Sequence, residues 1–246
     1  MRNKPSFRHL FLCLLAVLTS LAPSAFAAAV SPQEQVQVQA SRATSSLMLL
    51  RGEGFQKKHL NTLEADLQAL AGAIQSLPQG SDALRSAHQE LVLQIRRGVA
   101  FGPNEEDLPW RYPEDLSKAL LNVLHEARQL SPEGDSELAA KLEYLSVQYL
   151  SRSYLGSFEI AREQTDSYLG QDERKLVPAV DGELAALDAQ ANPDWRKVTV
   201  RWEYLKAALT DLNSQSNTLS SVSGRAFAPM TVYRHTRALT EQWMAM

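Results

Sequence analysis

The chain has 246 residues, 25 Lys+Arg against 28 Asp+Glu for a net charge of −3, and its 44% hydrophobic and 22% charged residues are globular values that exclude global disorder. The length admits one medium domain or two small ones, either large enough to bury a core. A mildly acidic balance with no run of Lys/Arg leaves no footprint for a phosphate backbone, which argues against nucleic acid as the main partner.

Residues 1–27 read as a signal peptide: Arg2, Lys4 and Arg8, an apolar run from Leu10 to Leu21 broken only by Thr19 and Ser20, Pro23, then the small-residue tripeptide Ala25-Phe26-Ala27. The run is short for a membrane span, although an uncleaved N-terminal anchor is the alternative. Cleavage after Ala27 leaves 219 residues and takes three basic residues with it, moving the net charge to −6. Cys13, the single cysteine, lies inside the run. The mature chain would then have no thiol, which excludes disulfides, Cys-ligated metals and a Cys nucleophile, and suits an oxidising compartment. The expected location is the bacterial periplasm, with secretion as the alternative. No later stretch approaches ~18 apolar residues, so no integral span is expected after cleavage.

From residue 32 onward the hydrophobic period is helical. Val36, Ala40, Ala43, Leu47 and Leu50 form a first, weak stripe; Leu60, Leu63, Leu67, Leu70, Ile74 and Leu77 form the clearest seam, stopped by Pro78-Gln79-Gly80. Leu84, His88, Leu91 and Ile95 follow weakly. Leu116, Leu120, Val123, Ala127 and Leu130 are entered through Pro113 and ended by Pro132 and Gly134. Leu138, Leu142, Leu145 and Tyr149 make another weak stripe, and Leu176, Val180, Leu184 and Leu187 one more. A strong seam runs from Trp195 through Val198, Trp202, Leu205 and Leu209 to Leu212, Ser216 and Leu219; Val232, Thr236, Leu239 and Trp243 close the series, after a connector from Ser221 to Pro229. Each weak stripe predicts a helix with one packed and one wet face. The count is eight helices, and the fold class is all-α, an up-and-down helical bundle.

An offset of 116 aligns Gly54 with Gly170, Leu60 with Leu176 and Pro113 with Pro229. This suggests an internal repeat of two related four-helix halves, 28–131 and 132–246, although any two heptad-bearing helices share part of such a match.

No catalytic signature is present: no Gly-x-Ser-x-Gly, no His-Glu-x-x-His, no phosphate-binding loop. His59, His88, His125 and His235 are scattered without ligand spacing, so neither a metal nor another cofactor is expected. Two anomalies stand out. The stripe through Tyr149 continues onto Arg152 in Tyr149-Leu150-Ser151-Arg152-Ser153-Tyr154, which places an arginine toward a bundle interior. Such a residue either holds a bound anion through its bidentate fork, with Tyr149 and Tyr154 helping, or pairs internally with a Glu or turns outward along its aliphatic stem. The second is Phe101 to Pro113, with no helical period, three prolines, three consecutive acids and Trp110-Arg111-Tyr112. Trp110 and Tyr112 either bind a partner or cap the end of the bundle core. Tyr233-Arg234-His235 is basic and part-aromatic, a surface patch or a solvated helix face.

Leu145-Ser146-Val147-Gln148-Tyr149-Leu150-Ser151-Arg152 resembles the first helix of the periplasmic four-helix sensor domains of type IV pilus chemoreceptors (the PilJ type) and nitrate-sensing receptors, and Arg42 with Ser45 to Arg51 echoes it. The resemblance spans about twenty residues in each half. It implies that Arg152 faces an anionic ligand. The family's usual Gln-Arg-Met-Leu-Ser-Gln-Arg run is absent, and no transmembrane helix or transducer follows, so a signal would pass through a separate protein. The expected function is therefore an exported, non-enzymatic bundle that binds an envelope protein or a small anionic ligand in a sensory or assembly role. A structural or chaperone-like helical module, or a hydrolase without recognisable motif, is the alternative.

Overall fold

Caps and breakers set the helix bounds. The computed structural model describes residues 30–132, 134–156, 167–187, 193–210 and 229–246. Among these run eight helices, α1 (Pro32–Gly52), α2 (Lys57–Gln75), α3 (Asp82–Ala100), α4 (Tyr112–Gln129), α5 (Leu138–Leu155), α6 (Glu173–Ala185), α7 (Pro193–Thr210) and α8 (Pro229–Met244), with a short 3-10 turn at Glu105–Asp107 and no strand. Ser31, Ser81 and Asp172 accept the otherwise orphaned N–H groups that open α1, α3 and α6. Pro113, Glu114 and Asp115 crowd the first turn of α4, where a fixed φ and negative charge both suit the helix N-terminus. Gly156, in the left-handed region at φ 75°, ends α5. The leader expected over 1–27, the seam positions Leu212, Ser216 and Leu219, and the connector up to Ala228 lie outside the described residues.

The expected all-α bundle is what the chain forms, and its strong seams are its contact faces. In α2, Leu63, Leu67 and Leu70 are buried; in α4, Leu116, Leu120, Val123 and Ala127; in α7, Val198, Trp202, Leu205 and Leu209. The weak stripes of α1 and α5 behave differently from the expectation of one wet face. Every residue of α1 from Val36 to Arg51 is buried, as is α5 from Leu142 to Ser151. The reason is position: α1 packs against α2, α3, α4, α5 and α8, and α5 against α1, α6 and α8, so neither helix has an outside. Their periodicity is weak because polar side chains fill part of the buried circumference, among them Gln37, Ser41, Arg42, Ser45, Gln148 and Ser151. One hydrophobic cluster draws on all eight helices, from Leu47 and Leu63 through Leu91, Leu120, Leu145 and Leu176 to Trp202 and Leu239.

Close approaches fix the end of the bundle where α1 finishes. A Cβ on Gly98 would stand 2.1 Å from the Tyr112 hydroxyl and 2.9 Å from Leu47 Cδ2, so only glycine lets α3 sit this near α1 and α4. After α1 the chain takes two left-handed residues, Gly54 at φ 83° and Phe55 at φ 58°. Phe55 is a bulky residue in a strained region; its N–H bonds to Leu50 O at 2.8 Å and the Arg51 guanidinium lies 5.3 Å over its ring.

Candidate functional site

Most of the buried charge is structural. Where α8 meets α1 and α5, Arg42 Nε donates to Glu143 Oε1 at 2.8 Å, Arg42 Nη2 donates to Thr240 Oγ1 at 2.8 Å, and Thr240 donates to the same Glu143 oxygen at 2.6 Å. One turn of α8 away, Arg237 donates to both oxygens of Asp66 on α2, and the Ser46 hydroxyl meets Asp66 and Tyr233. These pairs convert a costly burial of ions into a satisfied network that registers α8 on the centre of the bundle. At the opposite end of α1, buried Glu34 accepts from the N–H groups of Ala139 (2.9 Å) and Ala140 (3.3 Å), crossing the chain to cap α5. Burial outweighs those two hydrogen bonds and raises the Glu34 carboxyl to about 7, with Glu137 adding to the rise and Lys141 opposing it.

The residues singled out from sequence converge only in part. Arg152 and Tyr154 reach one cavity of about 320 Å³, where the ends of α1 and α5 meet the loop before α4; Arg51, Asn104 and Leu108 complete its wall. Tyr149 is not there: it is fully buried in α5. Arg152 donates to buried Glu173 at 2.9 Å, the internal pairing that was its bland alternative, and Tyr154 donates to Glu53. Tyr154 also packs against Gly52, where a Cβ would stand 2.0 Å from its ring. Arg51 spends its guanidinium on backbone oxygens, those of Gly98 (2.7 Å) and Gly102 (2.9 Å), and burial holds its pKa below the usual value. The cavity thus sits among helix C-terminal ends whose carbonyl dipoles favour these cations and oppose an added anion.

Trp110 and Tyr112 part company. Trp110 is 84% exposed, with the Arg111 guanidinium 5.4 Å over its ring. Tyr112 is buried, donates to Gln94 O at 2.8 Å and meets Phe101 edge-on at 5.1 Å, the position of a residue that caps the end of the core. Asp107 accepts from the Asn104 backbone (2.9 Å) and side chain (3.1 Å), which gives the intervening loop a fixed turn.

A further open feature lies at α7, and of its residues only His235 stood out in the sequence, as part of Tyr233-Arg234-His235. A groove of about 680 Å³ runs between α7 and α8, lined by Arg196, Lys197, Val200, Arg201, Tyr204 and His235. Arg196, Val200 and Tyr204, with Lys197 and Arg201 beside them, recur at four-residue spacing and so share the face of α7 opposite its Val198-Trp202-Leu205 seam. Val200 is 65% and Tyr204 42% exposed, and Tyr204 stacks on His235 at 4.6 Å. Of the adjoining basic tripeptide, Tyr233 turns into the core while Arg234 stays exposed. Lys197 pairs with Asp194 at 2.6 Å; among the described residues Arg196, Arg201 and Arg234 enter no ion pair. Partial burial, then Arg201 and Arg234, hold the His235 pKa below its usual value, so it is neutral at pH 7. The arrangement can receive an anionic group while stacking or packing an apolar one.

Among the described residues no group of three or more His, Cys, Asp or Glu is placed to hold a metal ion, and no helix is long and apolar enough to cross a membrane. No known protein family, curated protein or solved structure matches the chain.

Proposed function

We propose that the protein is a non-enzymatic binding module that takes an acidic, part-apolar segment of a partner protein into the α7–α8 groove, in the exported, envelope setting that its N-terminus implies. The observation that carries this reading is the meeting, in one concavity, of Arg196 and Arg201, which have no acidic partner among the described residues, with exposed Val200 and Tyr204. Titrating a fluorescent peptide of mixed Glu and Phe into the full chain tests it. Binding should weaken steeply with salt and be lost in Arg196→Glu/Arg201→Glu, while Arg85→Glu on the exposed side of α3 leaves it intact. Equal binding by both variants would remove the proposal.

A small-anion sensor of the PilJ type stands second. It requires a ligand to take Arg152 from Glu173 within the 320 Å³ cavity. Thermal stabilisation by a small dicarboxylate or nitrate, lost in Arg152→Ala, would promote it. A repeated architecture is part of the same proposal: α1 with α2, α3 and α4 and α5 with α6, α7 and α8 are the two sets, and the starts of α2 and α6 at Lys57 and Glu173 keep the 116-residue offset. Its test is fragment complementation, in which 28–131 and 132–246 regain helical structure on mixing through the α1–α5 face.

A further inference from the structure

Four large hydrophobic side chains are prominently exposed among the described residues: Leu93, Trp110, Val200 and Tyr204. Two of them line the α7–α8 groove, and the most exposed of all, Trp110, stands on the loop between α3 and α4. That loop carries the complementary charge. Glu106 and Asp107 are exposed beside Trp110 and enter no ion pair among the described residues, whereas Arg196 and Arg201 line the groove and exposed Arg234 adjoins its His235. The loop is also stiff. Pro103, Pro109 and Pro113 restrict its backbone, the Asn104–Asp107 hydrogen bonds close its turn, and Arg111 holds the indole, so little ordering entropy remains to be lost on docking. Within one copy, loop and groove stand on separate elements, and among the described residues no ion pair or ring contact joins them.

We infer that the acidic segment received by the groove is the Pro103–Arg111 loop of a second copy of this chain, with Trp110 packed on Val200 and Tyr204 and Glu106 and Asp107 meeting Arg196, Arg201 and Arg234. This rests on the groove reading above and names its occupant. The contact joins two different surfaces, so it is head-to-tail: each copy keeps a free loop and a free groove unless the assembly closes on itself. A buried indole at the centre and charges at the rim are what such an interface needs, and the charge pairing makes it sensitive to salt.

The test uses sedimentation of the full chain over two decades of concentration up to about 200 µM at about 50 mM salt. The wild type should associate, at least tenfold less tightly at about 500 mM salt. A loop variant (Glu106→Lys/Trp110→Ala) and a groove variant (Arg196→Glu/Arg201→Glu) should each stay monomeric with unchanged circular dichroism, since all four side chains are exposed. Mixed in equal amounts with charges chosen this way, the intact groove of the first and the intact loop of the second should restore a single contact and a complex of two chains only. A wild type that stays monomeric, or variants that associate as it does, would overturn the inference. If the chain is monomeric while the Glu/Phe peptide still binds and is lost in the groove variant, self-docking fails and the groove reading stands; if the peptide does not bind either, both fail.

Discussion

The centre of the bundle and its α7–α8 edge use arginine in opposite ways. Around α1 and α5, Arg42 is held by Glu143 and Thr240, Arg237 by Asp66, Arg51 by backbone carbonyls and Arg152 by Glu173, so each cation is matched to a named oxygen. Along α7 and α8, Arg196 and Arg201 line a groove with exposed Val200 and Tyr204, and neither they nor the exposed Arg234 have an acidic partner among the described residues. The contrast separates two jobs that composition alone merges. Matched, buried charge sets which helices lie together; unmatched, exposed charge beside apolar surface is available to another molecule.

The sharpest way to break the contrast is to unmatch the centre. Arg42→Ala leaves Glu143 buried without its cation and should cost about 3–5 kcal/mol in urea unfolding, whereas Arg42→Met/Glu143→Met should recover most of the loss. Recovery failing in the double variant would show that specificity, not charge balance, is at stake. Next in size is Glu34, whose native carboxyl titrates near 7 against an ordinary 4.5. Because the folded state holds that proton more tightly than the unfolded one, the group favours folding when protonated, and this advantage is lost as pH rises from 4.5 to about 7. Glu34→Gln, which cannot ionise, should therefore be about 3 kcal/mol more stable than the wild type at about pH 8, with the gap closing by about pH 4.5. A gap independent of pH would contradict the burial of that carboxylate. Gly98→Ala should cost about 1–3 kcal/mol by pushing the Tyr112 hydroxyl off Gln94 O, visible as a lowered melting temperature. Smallest is Arg201→Ala at the edge, within about 0.5 kcal/mol of wild type in stability. The same change should lower peptide binding severalfold, reversing the order set by the centre.

What could be read from sequence follows the same division. The seams of α2, α4 and α7 were legible because a wet face makes the apolar one stand out, as Leu63, Leu67 and Leu70 do. In α1 and α5 the polar residues are buried as well, so the period faded where burial was most complete, and one wet face was expected where there is none. Arg152 was legible as facing inward, but its partner Glu173 lies 21 residues on, across a turn that no local period reports. Trp110 and Tyr112, two residues apart, looked alike, but Trp110 lies in the turn before α4 and points out, while Tyr112 opens the helix and points in. The basic groove escaped because its cations alternate with the Val198-Trp202-Leu205 seam on α7 and are completed from α8; a helical-wheel reading of Arg196, Val200 and Tyr204 together would have found half of it.

The bond between Arg42 and Thr240 joins positions 198 residues apart, and the helix it anchors is the first of the eight in chain order. During synthesis, α1 emerges long before α8, the last helix to reach it. The leucines of α1 find α2 at once, but Arg42 must wait for Glu143 and then for Thr240 near the far end of the chain, so the polar part of the native centre forms last, and a clipped product lacking α8 would leave that arginine half-matched.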